Sequence, residues 1–180
     1  MRLNRTPLIL LFIIPFLNSC INNADFDQVN INAEPILNFP LVYFELNQLD
    51  FLDDTGTIEI PTITDVTDVE VFSSSTVREN LGRVDLIYQI ENEFERGFIF
   101  EIDFLDDAGN VTYSFQNVTV PSGLNFIEIR ENIVIAENPA ILNTTQIRVQ
   151  INLSAASTTL DPDVERRIEF RSTGVFYLFF

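Results

Sequence analysis

Apolar and polar residues alternate with a period of two along most of the chain beyond Phe39. That is the spacing of a strand with one buried face. Val84, Leu86, Tyr88 and Ile90 alternate with Asp85, Ile87, Gln89 and Glu91, and Phe98, Phe100, Ile102 and Phe104 alternate with Ile99, Glu101, Asp103 and Leu105. Ile147, Val149, Ile151 and Leu153 do the same against Gln146, Arg148, Gln150 and Asn152. Shorter runs predict a first strand over 41–46, a brief one over 57–60, and others over 64–72, 111–115, 124–130 and 165–171. The closing run 175–180 is apolar throughout and reads as a central strand buried on both faces.

Turn chemistry separates these runs. Asp106-Asp107-Ala108-Gly109-Asn110 predicts a hairpin, because a tight reversal needs a residue that accepts positive φ. Helix is scarce: 75–81, closed by Gly82, predicts a turn or two with a Ser or Thr cap, and 138–142 another with Pro139 at its first position. The expected architecture is an all-β, antiparallel β-sandwich of immunoglobulin-like type, with about eight or nine strands and one or two short helices, over residues 39–180. A closed outer-membrane barrel, with 175–180 as its last strand, fits less well. Stretches 64–70 and 146–152 read as half-buried strands without a continuous lipid-facing band.

The first residues follow a different rule. Arg2 and Arg5 precede an apolar run from Pro7 to Leu17, the layout of an export signal, and the run is about half of the roughly 20 residues a membrane span requires. Leu17-Asn18-Ser19-Cys20 resembles the bacterial lipobox, in which the Cys becomes the first mature residue and carries the lipid; Asn18 departs from the small or aliphatic residue usual there. The resemblance implies a signal peptide over 1–19, and Cys20 as the site of lipidation by fatty acids such as palmitate. It also implies a membrane attachment made through that lipid. Ile21 lacks the Asp with which inner-membrane retention begins, which favours the outer membrane, on either its periplasmic or its surface face. Residues 20–38 read as the lipidated Cys and a polar, Asn-rich tether. Asp25 and Asp27 within it resemble the acidic export signals of Bacteroidota surface lipoproteins, and read equally as solvated tether charges.

Composition narrows the chemistry. The 180 residues include no His and no Trp, and all ten basic residues are Arg. That removes His-assisted nucleophiles, Schiff-base and phosphate-binding lysines, and imidazole metal ligands. A formal charge of −17, which becomes −19 once Arg2 and Arg5 leave with the signal, excludes a phosphate-backbone footprint, so no nucleic-acid partner is expected. Cys20 is the single cysteine, so no internal disulfide can form.

Carboxylates, amides, hydroxyls and arginines remain. Glu101 and Asp103 share a strand face at a spacing compatible with a glycosidase pair, but with 27 acids such pairs arise by chance, and a solvated face is the simpler reading. Asp103, Asp106, Asp107 and Asn110 around one hairpin, and Asp50, Asp53 and Asp54 in another loop, offer calcium the oxygen ligands it takes, but lack EF-hand spacing and read as turn chemistry and an acidic loop. Arg166 and Arg167 could clamp an anion, or pair with the acids around them. Phe44, Phe72, Phe94 and Phe115 are expected in the core. The reading assigns no catalytic residue, no metal and no cofactor.

The signal and lipobox, Asp25-Phe-Asp-Gln28, Leu41-Val-Tyr-Phe44 and Ile168-Glu-Phe-Arg-Ser-Thr-Gly-Val-Phe-Tyr-Leu178 together resemble small outer-membrane lipoproteins of flavobacteria (Bacteroidota). The resemblance implies an exported β-sandwich and no activity. The expected role is a non-enzymatic binding or assembly module of the cell envelope with a protein partner. The alternative is a carbohydrate-binding sandwich that could be calcium-dependent. An exposed aromatic row on one sheet favours sugar, and a mixed apolar patch favours protein.

Overall fold

In the computed structural model, residues 34–123, 125–156 and 159–180 are described. They contain the strands β1 (Ile36–Asn47), β2 (Thr62–Asp68), β3 (Leu81–Asn92), β4 (Phe98–Leu105), β5 (Val111–Ser114), β6 (Val118–Val120), β7 (Asn125–Val134), β8 (Gln146–Leu153) and β9 (Arg167–Leu178). The period-two faces fall as the pattern requires: Val84, Leu86, Tyr88 and Ile90 of β3, Phe98, Phe100, Ile102 and Phe104 of β4, and Ile147, Val149 and Ile151 of β8 are all buried. A short helix, α1 (Ser75–Asn80), and a 3-10 turn, Pro139–Asn143, stand where the turn residues place them, although Ser74 makes no side-chain cap. The hairpin between β4 and β5 turns on Gly109, whose φ is +79°.

Two antiparallel sheets carry these strands, one in the order β1-β9-β3-β7 and the other β2-β8-β4-β5, with β6 also on β4. Their inner faces share one core. Phe100 of β4 stacks on Phe170 of β9 with centroids 5.6 Å apart, and Tyr88 of β3 meets Phe115, just past the end of β5, at 4.5 Å. Each sheet keeps open edges, so the strands do not close into a barrel.

The connectivity corrects one detail of the expected architecture. First pairs with last: β1 with β9, β2 with β8, β3 with β7 and β4 with β5. This is one long hairpin rolled into two four-membered Greek keys, the jelly-roll arrangement, and not the four-plus-three order of an immunoglobulin domain.

Element bounds shift too. β1 begins at Ile36, so Ile36, Leu37 and Asn38, expected at the end of the tether, pair instead with Tyr177, Phe176 and Val175. Around 57–60 there is only an isolated bridge, Leu52 to Glu59, and Val71–Ser73 forms a 3-10 turn beyond the end of β2. The two closing runs are one strand, β9, central between β1 and β3. It is buried on its inner face, while Val175 and Tyr177 are half-buried outside, and Phe179 and Phe180 are exposed past its end.

Edge strands invite pairing with other chains, and this fold blunts them. Asp65 of β2 and Glu131 of β7 occupy inner-face positions, in register with the buried Val149 and Leu86. Glu131 accepts a hydrogen bond from Tyr113 at 2.6 Å. Burial first, and then this carboxylate, push the Tyr113 hydroxyl well above its ordinary pKa. The long edge β1 carries Pro40 and a bulge before Tyr43. There the Val42 N–H donates to the buried Ser172 Oγ at 2.9 Å, so a side chain replaces the missing ladder bond. Ser172→Ala leaves that donor unsatisfied and is expected to cost about 1–3 kcal/mol, read as a lower urea midpoint at unchanged slope.

Candidate functional site

Cys20, with the signal and the tether to residue 33, lies outside the described residues. The other candidate groups are all placed, and local contacts claim most of them. Glu101 and Asp103 project from the outer face of β4, where Glu101 accepts from Asn152 at 2.9 Å and Asp103 pairs with Arg148 at 2.6 Å and accepts from Ser114 at 2.6 Å. Asp103 thus faces away from the hairpin tip. At that tip Asp106 accepts from the Asn110 backbone at 2.8 Å, from its amide side chain and from Ala108 N–H.

Asp53 organises its own loop in the same way, accepting from the N–H groups of Thr57 and Ile58 at 3.0 Å each and from Thr55. Asp50 accepts from Asn47 N–H at 2.7 Å, closing a capping box on the turn Gln48–Phe51. Among the described residues, no group of three or more acidic, His or Cys side chains is placed to hold a metal ion.

These bonds stabilise the charged carboxylates. The Asn110 side chain and backbone hold the Asp106 carboxyl below its ordinary pKa, and the Ile58 and Thr57 N–H groups do the same for Asp53. A depressed folded-state pKa contributes stability present above the unfolded value near pH 3.9, and lost as pH falls through the folded one. Asp106→Asn, which mimics the protonated acid, is therefore expected to lower the thermal midpoint at pH 7. The gap to the parent protein should close on acidification below about pH 4.

Arg166 and Arg167 are paired, as the acids around them imply. Arg166 reaches Glu95 at 2.6 Å, and Arg167 spans Glu45 and Glu93 at 3.4 and 3.3 Å. They line an open polar recess of about 580 Å³ with Gln48 and Glu165. Phe72, Phe94 and Phe115 are buried, and Phe44 is half-buried with its ring stacked on Phe170 at 5.0 Å. An apolar cleft of about 480 Å³ opens between β1 and the chain entering α1, lined by Leu37, Phe39, Leu41, Val69, Val71 and Val77.

Both outer faces bond polar side chains across strands, Gln89 to Glu128 at 2.8 Å and Asn132 to Asp85 at 2.6 Å on one of them, and they differ in their exposed aromatics. On the sheet containing β8, polar side chains bond across strands: Thr62 to Asn152 at 2.8 Å, Gln146 to Asp68 at 2.9 Å, Arg148 to Asp103. The opposite outer face is mixed. Register places Tyr43, Arg171, Gln89 and Glu128 in one transverse row, and Glu45, Glu169, Glu91 and Phe126 in the next. Tyr43 and Phe126, each 63% exposed, stand on opposite edges, three strand spacings or about 14 Å apart across the sheet and one row apart along it. Between them the buried Glu169 pairs with Arg171.

The exposed aromatics among the described residues are Tyr43, Phe126, Phe179 and Phe180, and they lie on this sheet or just past the end of β9. Sequence reading missed this face. Phe126 does sit at a polar-face position of its strand, a signal legible once the register of β7 is known.

No protein-family model and no curated protein matches the chain. Among solved structures, a protein described as secreted from Parabacteroides distasonis aligns at 14% identity and TM-score 0.49, over 63% of this chain and 36% of that one. The VP2 subviral particle of infectious bursal disease virus aligns at 9% and 0.46, over 82% and 33%. The chain thus spans about a third of each of these two proteins. A Bacillus endospore appendage protein aligns at 9% and 0.37, over 89% and 96%.

Proposed function

We propose that this protein is a non-enzymatic binding or assembly module of the bacterial envelope, held at the outer membrane through lipid on Cys20. The face of β1, β9, β3 and β7 is its recognition surface. The observation that carries the reading is the asymmetry of the two outer faces: both bond polar side chains across strands, but among the described residues only this one carries exposed aromatics on its strands, Tyr43 and Phe126. Surface aromatics bury a large area at low entropic cost, which makes them anchors for a partner. No helix among the described residues is long and apolar enough to cross a membrane, and attachment through the acyl chains is consistent with that.

The test has two parts. Cys20→Ser is expected to abolish incorporation of labelled palmitate and to release the protein from the membrane fraction. A photoreactive phenylalanine analogue at Phe126 should then crosslink one recurrent envelope protein in intact cells, while the same group at Gln150 on the other sheet should not. Equal labelling from both positions would remove the face assignment.

A second reading, carbohydrate binding on the same face, is favoured by one feature: Tyr43 and Phe126 flank Arg171, Gln89, Glu169 and Glu91, so stacking and hydrogen-bonding groups alternate. Retention on immobilised polysaccharide, lost in Phe126→Ala, would select it over a protein partner.

A further inference from the structure

We infer that the apolar corner where the chain enters the sandwich rests on the lipid surface, so that the lipid fixes the orientation of the body as well as its location. This rests on the lipid-anchor reading of Cys20. The corner is built by register. Ile36, Tyr177, Arg83 and Val134 form one transverse row on the outer face of β1, β9, β3 and β7.

Phe179 follows two residues beyond Tyr177, and its ring fills the space a side chain at Gly82 would need. Phe180 stands next to it. Ile36, Val134, Phe179 and Phe180 are 55%, 37%, 49% and 62% exposed, so exposed apolar side chains gather at this corner around Tyr177 and Arg83.

The occupant follows from where the chain comes in. Leu178 N–H donates to the Pro35 carbonyl at 3.1 Å, which pins the entry point beside Tyr177 and Phe179. From Cys20 to Glu34 the chain can reach at most about 50 Å in any conformation, so this corner is held within that distance of the acyl chains.

The side chains suit a lipid interface. Phe and Ile enter the acyl boundary, while Tyr and Arg sit at headgroup level. Arg83 lies 3.6 Å from the Tyr177 ring centroid and is tied to Asp85 at 3.3 Å. Glu34, Glu79 and Glu137 flank the corner in sequence, and with the charge of −19 left once Arg2 and Arg5 depart with the signal they select zwitterionic over anionic lipid.

The absence of Trp supplies the probe. Full-length acylated protein carrying Phe180→Trp is reconstituted in phosphatidylcholine vesicles with a brominated fraction. Leu49→Trp, just past the opposite end of β1 and itself at an exposed position, serves as reference. The fluorescence of the Phe180→Trp protein is expected to be quenched at least about twofold and that of the Leu49→Trp protein not, with weaker quenching when part of the lipid is anionic.

Quenching of both proteins, or of the Leu49→Trp protein alone, overturns the orientation. An acylated Phe180→Trp protein that is unquenched overturns the lipid contact while leaving the anchor standing, and a concentration-dependent dimer in that sample assigns the corner to a second copy. Absence of the acyl group, read independently by mass, overturns both the anchor and this inference.

Discussion

Arg96→Ala is expected to destabilise the sandwich by about 3–5 kcal/mol, a fifth or more of the roughly 5–15 kcal/mol of an ordinary domain. Arg96 is only 7% exposed. Its guanidinium pairs with Glu59 at 2.9 Å and donates twice to the Ser154 carbonyl, at 3.1 and 2.5 Å. Glu59 also accepts the Leu160 N–H at 2.8 Å, so one cation joins the β3–β4 turn to the connections before β2 and before β9.

The Arg96 carbonyl in turn accepts from the fully buried Asn92, whose amide also donates to Pro121 O at 2.8 Å and accepts from Phe94 N–H. Truncation removes the cation that Glu59 and the Ser154 carbonyl share, and leaves a cavity. Arg96→Met, which refills the volume with apolar atoms, should recover part of the loss. Denaturant titration of the three proteins checks this, and equal midpoints would show that the cluster contributes nothing to stability.

Ile151→Asp is expected to abolish the folded state. Ile151 lies in the centre of β8, 2% exposed, in register with Ile63 on one side and Phe100 on the other, and faces the second sheet. A carboxylate there finds no partner, and its desolvation cost of several kcal/mol adds to the lost apolar burial. Far-UV circular dichroism should lose its cooperative thermal transition. Gln150→Thr, one residue away on the outer face, should keep it. A folded Ile151→Asp protein would mean that the faces of β8 are reversed.

These two experiments mark the boundary between what local pattern reveals and what it does not. Ile151 was legible because alternation within one strand names the buried face without reference to any other strand. Arg96 was not. Its partners come from two other connections, 37 and 58 residues away in sequence, and no periodicity encodes such a meeting. The acidic loops were legible as turn chemistry for the same reason as β8: Asp106 and Asp53 bond groups two to five residues away. The face that carries Tyr43 and Phe126 required register. Tyr43 is unremarkable until a bulge turns it outward, and Phe126 until β7 is seen as an edge.

The sequence alone thus determined the class of structure. Period-two burial, Gly109 at a positive-φ turn and Pro139 opening a helical turn are short-range effects, settled within a few residues of backbone geometry and solvation. Tertiary structure alone decided the order of strands, the fusion of two apolar runs into β9, and the gathering of Ile36, Val134 and Phe179 at one corner. Each depends on which strands lie side by side. Pairing energies differ little between one antiparallel neighbour and another, so that choice belongs to the packing of the whole core.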